Sequence, residues 1–185
     1  YAVTTGPGSF TGVRIGLATA RALGVALGVS VLGLTTFELL EAAFRQDHTA
    51  LEDDANIMTL IETKRRDYYF ALSNREGQYI VPPTCLEEAE IVKYFSGAVH
   101  VIGDGTKRLI ENLPELQNKS GARFETENYN LVRGEVLLAK ASEYMRIALE
   151  LGGDLPEAQP LYLRGADVST SKKTYRTMAA HTQNT

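Results

Sequence analysis

Apolar positions along the chain recur with two spacings, every second residue and every third or fourth, and the switches between them mark the elements. Residues 1–4 form a short apolar run that stops at Gly6-Pro7-Gly8, which predicts a strand feeding a tight loop. Residues 11–27 are mostly Ala, Leu, Val, Ile and Gly, with Ser9 or Thr11 available as N-cap, so a helix is predicted there. A buried strand over 29–34 completes a strand, helix, strand unit. Thr35-Thr36-Phe37-Glu38 has capping-box spacing, and the helix behind it presents Phe37, Leu40 and Phe44 on one face.

Past a polar, acidic connection at 47–54, strand-like runs at 56–61, 67–73 and 78–81 predict an antiparallel meander ended by Pro82-Pro83. Thr84 and Glu87 read as a second capping box opening a helix through Phe95, which puts Cys85 in a first helical turn. A strand at 98–102 meets Gly103-Asp104-Gly105 before a short helix ending near Pro114, and one strand is expected around Phe124. Leu137, Ala141, Tyr144, Ala148 and Leu151 make one apolar face of a helix over 132–151, stopped by Gly152-Gly153. Residues 160–163 read as extended. The predicted organisation is 1–47 as one subdomain, 48–165 as a second, and 166–185 as a flexible tail.

Composition narrows the function. With 185 residues, 44% hydrophobic and 23% charged, the chain can bury a core. A net charge of -4 denies it the overall positive field of a stand-alone nucleic-acid binder, so any RNA contact is local or shared. Cys85 is the one cysteine, which excludes an internal disulfide framework or a cysteine-rich metal cage, and the cytoplasm is the expected location. The sixteen-residue uncharged stretch 22–37 falls short of the ~18 residues a membrane span needs, so no membrane association is expected. The opening Tyr1-Ala2-Val3 reads as though already inside a strand.

The densest chemical signal is GPGSFTGVRIG, residues 6–16. Gly6, Gly8, Ser9 and Thr11 are phosphate-loop candidates, because unpaired N–H groups and a helix dipole would point at an anion. The spacing matches neither a Walker loop nor a dinucleotide fingerprint, and Pro7 removes a donor, so a purely structural turn is the competing reading. Arg14 in the first helical turn opposes the dipole by about 0.3 to 1 kcal/mol, which suggests a compensating tertiary partner or anion, against the plainer reading of a solvated or structurally paired arginine.

Gly12, Gly16, Ala20, Gly24 and Gly28 recur at steps of four, and each helical glycine costs about 0.5 to 1 kcal/mol, so intimate packing against another helix is expected. Spacing leaves internal packing and a subunit interface equally open. His48, His100 and His181 share no ligand spacing with Cys85, so no metal centre is expected. Thr63-Lys64-Arg65-Arg66-Asp67-Tyr68-Tyr69 interleaves basic and aromatic residues, a candidate local RNA or phosphate contact against the plainer reading of a charged turn.

Residues 4–38, and GPGSFTGVRIG most specifically, resemble the bacterial TsaB (YeaZ) family. Weaker echoes follow at Glu62-Thr63-Lys64-Arg65, Val101-Ile102-Gly103-Asp104-Gly105 and Pro160-Leu161-Tyr162-Leu163-Arg164, so the resemblance covers about residues 1–164. It implies an α/β fold of the actin, sugar kinase and heat-shock ATPase type, with two ribonuclease-H-like subdomains, the first incomplete at its N-terminus. It implies a non-catalytic scaffold or activator that pairs with a TsaD-like catalytic subunit, beside a TsaE-like ATPase, in tRNA threonylcarbamoyladenosine formation. Isolated, it would be a homodimer; tRNA would be met indirectly, and ADP or ATP only through the partner complex.

On that resemblance Gly12, Arg14, Gly16, Ala20 and Gly24 become the expected partner or dimer interface, with no catalytic residue and no metal. The alternatives are a small nucleotide-binding phosphotransferase or hydrolase of the same superfold, and a glycoprotease-like peptidase.

Overall fold

The computed structural model describes residues 1–126, 129, 134–151 and 156–163. Strand β1 (Ala2–Thr4) pairs in parallel with β2 (Leu32–Leu34), and helix α1 (Phe10–Leu27) is the crossover between them. Ser9 Oγ accepts the Gly12 N–H at 3.3 Å to start α1, and Gly28, left-handed at φ 64°, ends it. By length and composition α1 could cross a membrane. Its two ends nevertheless feed adjacent strands of one sheet, which fixes it as a crossover lying against that sheet. Helix α2 (Thr36–Asp47) begins with the predicted capping box: Glu38 N–H donates to Thr35 Oγ1 at 3.2 Å and Thr35 N–H to Glu38 Oε2 at 2.7 Å.

The second sheet has strand order β5-β4-β3-β6-β7, built from β3 (Asn56–Glu62), β4 (Asp67–Ser73), β5 (Tyr79–Glu87), β6 (Val99–Ile102) and β7 (Ala122–Phe124). The meander β3-β4-β5 is antiparallel, and β6 and β7 add in parallel. Strand β3 is buried on both faces: Ile57 and Ile61 pack against Phe37, Leu40 and Phe44 of α2, while Met58 and Leu60 meet the core on the other side. That second core is closed by α3 (Glu88–Ile91) and α4 (Thr106–Asn112) through Ile91 and Leu109. Helix α5 (Gly134–Leu151) packs on α2, β1 and β2, with Val136 and Ala141 buried.

The sequence expectations need two corrections. Strand β5 does not stop at Pro82-Pro83 but runs on to Glu87, with Thr84 opposite Phe70 and Cys85 opposite Tyr69. An edge strand tolerates proline, because its outward N–H needs no ladder partner. The predicted helix therefore starts late, capped by Glu87 with Glu90, and is only four residues long. The second correction concerns 48–165 as one unit: its last part returns to the first sheet, where Gly33 N–H donates to Pro156 O at 3.0 Å and Leu161 N–H to Thr5 O at 2.9 Å. The expected tail, 166–185, lies outside the described residues.

Where α2 meets the second sheet, the Glu41 carboxylate is buried, accepting Ser73 Oγ–H at 2.8 Å, with Arg45 Nη2 at 3.6 Å. Burial raises its pKa above the usual 4.5, against the lowering effect of Ser73 and Arg45. The folded state then binds more protons than the unfolded chain above pH 4.5, so this contribution to stability fades as pH rises through the folded pKa. Urea unfolding of Glu41→Gln at a series of pH values is expected to show a flatter pH dependence in that window than the parent chain. An unchanged profile would remove Glu41 as its source.

Candidate functional site

The glycine loop is tied into the fold before any ligand is considered. Gly6, at φ 95°, uses its carbonyl to accept Thr36 N–H at 2.8 Å, and Pro7 O accepts Thr36 Oγ1–H at 2.7 Å. Of the phosphate-loop candidates, Gly6 is thus buried and structural and the Ser9 hydroxyl caps α1, while Gly8 and Thr11 remain exposed. Folding brings the loop opposite the second glycine turn: Gly8, Ser9, Thr36, Leu40, Ile61 and Asp104 line one cleft of about 440 Å³. No cation lines this cleft among the described residues, and burial raises the Asp104 pKa. An anion here would depend on backbone N–H groups facing a carboxyl.

The small-residue ridge turns mostly inward. A Cβ at Gly24 would lie 2.6 Å from Val31 Cγ2 and 2.9 Å from Val29 O, so Gly24 packs against its own chain, which corrects its expected place in an interface. Gly16 and Ala20 are half-buried, and a Cβ at Gly16 would sit 3.8 Å from Val3 Cγ2; of the four expected interface positions with small side chains, Gly12 is the exposed one. Leu17 is buried beside them.

Opposite that face, Thr11, Ile15, Ala18, Ala22 and Val25 follow one another at steps of four and three, and all are exposed. Ile15 is 62% and Val25 86% exposed; Leu23 and Leu27 are exposed as well, on the ridge side of the helix. The stripe runs about 21 Å along the helix at 1.5 Å per residue. Its heptad-like spacing was in the sequence, hidden because nearly every neighbour is also apolar or small.

Arg14 finds its partners at home: its guanidinium lies 3.7 Å from the Phe10 ring centre, and Nε donates to Tyr162 Oη at 3.3 Å. Arg21 Nε donates to Ala158 O at 3.1 Å. Both arginines fasten α1 to the extended segment 156–163, so the partner inferred for Arg14 is an aromatic pair and not an anion. Phe10, Arg14 and Tyr162 are nonetheless exposed, the first at 60% and the last at 55%, and they lie beside the stripe.

Other sequence candidates separate. His48 and His100, unrelated in spacing, flank Phe44 with their rings 6.3 Å apart, and Glu52 sits 3.4 Å from His100 Nε2. A backbone hydrogen bond, then those from Arg123 and His100, lower the Glu52 pKa to about 2, while burial lowers that of His100. No group able to hold a metal ion occurs among the described residues. Cys85 belongs to β5 and not to a helix N-terminus; burial pushes its thiol pKa up, so it is not an activated nucleophile.

Two subdomain sheets with a helix-bearing cleft between them place the chain among α/β proteins of the actin, sugar kinase and heat-shock ATPase type. YeaZ from Pseudomonas aeruginosa shares this fold at TM-score 0.65 and 22% identity, over 88% of this chain and 74% of that one. A second structure, an uncharacterized protein with similarity to peptidase YEAZ from Pseudomonas aeruginosa, matches with the same score and identity, over 88% of this chain and 73% of its own. The family model for TsaD, tRNA N6-adenosine threonylcarbamoyltransferase, matches residues 1–98, and the chain belongs to that family. Its similarity to TsaB is direct: it is 26% identical to the tRNA threonylcarbamoyladenosine biosynthesis protein TsaB of Escherichia coli (strain K12), over 86% of this chain and 68% of that protein.

Proposed function

We propose that the chain acts in tRNA threonylcarbamoyladenosine formation as a non-catalytic scaffold or activator that pairs with a TsaD-type catalytic subunit through α1. The observation that carries this reading is the apolar stripe Ile15, Ala18, Ala22 and Val25, left in solvent by a helix that buries Leu17 and Gly24 on its other side. Phe10, Arg14 and Tyr162 beside it are residue types that concentrate binding energy at interfaces. A shallow side-chain surface at Ala18 and Ala22 lets a partner helix approach closely. The same stripe would pair two copies when the chain is isolated, and a TsaE-type ATPase would join the assembled pair.

The cleft at Gly8 and Asp104 supports a second reading, nucleotide binding, with the missing positive charge supplied across the interface. Mixing the chain with a TsaD-type subunit, then measuring the mass of the complex and the modified adenosine formed, tests the first reading. Neither complex nor stimulation would end it. Submillimolar ATP binding with turnover by the chain alone would favour the phosphotransferase or hydrolase reading.

A further inference from the structure

The hairpin joining β3 and β4 carries three successive cations at its tip, Lys64, Arg65 and Arg66, all exposed. The turn beneath them is held from several sides. Thr63 Oγ1–H donates to Asp67 O at 2.6 Å, Arg65 N–H to Thr63 Oγ1 at 3.1 Å, and Lys64 N–H to Glu62 Oε1 at 2.6 Å. Lys64 itself sits in the left-handed region at φ 57°, rare for a residue with a side chain. From α4, Arg108 pairs with Glu62 at 2.9 Å, donates to Asp67 O at 2.7 Å and also bonds Arg65 O.

The Glu62 carboxylate thus serves Arg108 and the Lys64 amide, and Asp67 Oδ1 accepts Thr63 Oγ1–H at 2.9 Å, while Lys64 and Arg66 stand exposed at the tip. The aromatic half of the motif belongs to β4: Tyr69 is half-buried against the core that α2 covers, within electrostatic reach of Arg65. Tyr68 is buried, its ring 3.8 Å under the Arg108 guanidinium and its hydroxyl donating to Glu88 Oε1 at 2.8 Å. With Tyr68 buried and Tyr69 turned toward the core, the exposed side chains at the tip itself offer charge and no ring for bases to stack on.

We infer that this hairpin tip is a contact for the phosphate backbone of the tRNA substrate, a rigid cationic point on an otherwise acidic molecule. The choice of RNA over an acidic protein segment rests on the tRNA-modification reading above. Three features favour it. A net charge of -4 repels a polyanion from most of the surface, so a local cationic tip sets both the point and the direction of approach. The pinned turn holds the cations in place before binding, which lowers the ordering cost. Contact through phosphates alone supplies positioning and leaves sequence choice to another subunit, as a non-catalytic subunit requires.

The test is fluorescence anisotropy of the whole chain with an unmodified tRNA transcript over a series of salt concentrations. Lys64→Asn, with asparagine favoured in a left-handed turn, is combined with Arg66→Gln. The charge-matched control is Lys93→Gln with Lys119→Gln, exposed on other elements. The tip pair is expected to weaken binding at least about fivefold at low salt and to make the log–log salt slope shallower by roughly 1.4 to 1.8, two phosphate contacts' worth.

Equal weakening by the control pair, or no binding by the parent chain at low salt, would overturn the inference. Competition by polyglutamate as effective as by tRNA, and equally lost in the tip variant, would replace RNA with an acidic polypeptide. Arg66→Gln alone, outside the left-handed position, gives half the slope change if the double variant folds poorly. Assembly with a TsaD-type subunit reads α1 and not this hairpin, so either proposal can fail without the other.

Discussion

Val25→Glu is expected to weaken pairing with a TsaD-type subunit severely while leaving the chain folded. Val25 is 86% exposed, and a glutamate there remains solvated in the free chain, so its stability should change by no more than about 0.5 kcal/mol. In a complex the same carboxylate would be buried in an apolar seam without a partner, at a cost of about 2 to 4 kcal/mol, or roughly 30- to 700-fold in affinity. Sedimentation of the mixed proteins reads the affinity, and a thermal melt reads the fold.

Gly24→Leu supplies the converse. A Cβ there already falls 2.6 Å from Val31, so a leucine should disrupt the β1-α1-β2 unit itself, and any loss of pairing would follow from loss of fold. If Val25→Glu still pairs with parental affinity, the outer stripe is not the contact, however exposed it is. If Gly24→Leu folds normally but fails to pair, the inward reading of the ridge is wrong.

The two positions also show what the sequence could and could not reveal. The glycine steps along α1 predicted packing against another helix, whereas the one tight approach is at Gly24, to Val29 O and Val31 of the turn that follows. The decisive neighbours are Val29, Val31 and Val3, which come from the turn after the helix and from the strand before it. The outer stripe was equally visible as steps of three and four, yet the contrast with polar residues that normally exposes an amphipathic pattern is absent over most of α1. The Thr35 and Glu38 box was legible because both groups lie within one turn, so no tertiary information is needed.

The Thr84 and Glu87 spacing obeyed the same rule and misled. Pairing of Thr84 with Phe70 and of Cys85 with Tyr69 supplied ladder contacts that outweighed a local cap. The meeting of Gly8 with Asp104, and of His48 with His100, depends on elements far apart in the chain and left no local trace. Arg14 shows the intermediate case: the dipole argument left a solvated, a structurally paired and an anion-bound arginine open, and only the returning segment at Tyr162 decides for the paired one.

Gly103→Ala is expected to destabilise the chain by about 3 kcal/mol or more, lowering the melting temperature by roughly 6 to 12 °C. Gly103 is held at φ 99°, and a Cβ on it would lie 2.0 Å from the Leu60 carbonyl oxygen, a fixed part of the central strand β3. Neither relief is easy: moving β3 disturbs pairing on both its sides, and lifting the β6-α4 turn breaks the Gly105 N–H bond to Leu60 O at 3.1 Å. The sign distinguishes this from an ordinary glycine replacement, which at a relaxed position stabilises by about 0.4 to 1 kcal/mol through the unfolded chain.

The effect should also reach the cationic hairpin. Asp104 Oδ1 accepts the Glu62 N–H at 2.8 Å, and Glu62 in turn holds both the Lys64 amide and Arg108, so lifting the turn loosens the tip's support from one end. At a temperature where the variant remains folded, faster amide exchange is expected at Lys64 and Arg65 than in the parent, with little change along α1. A melting temperature equal to the parent's would mean that the turn rises off β3 freely. Asp104 would then have no fixed position from which to brace the hairpin or to shape the cleft.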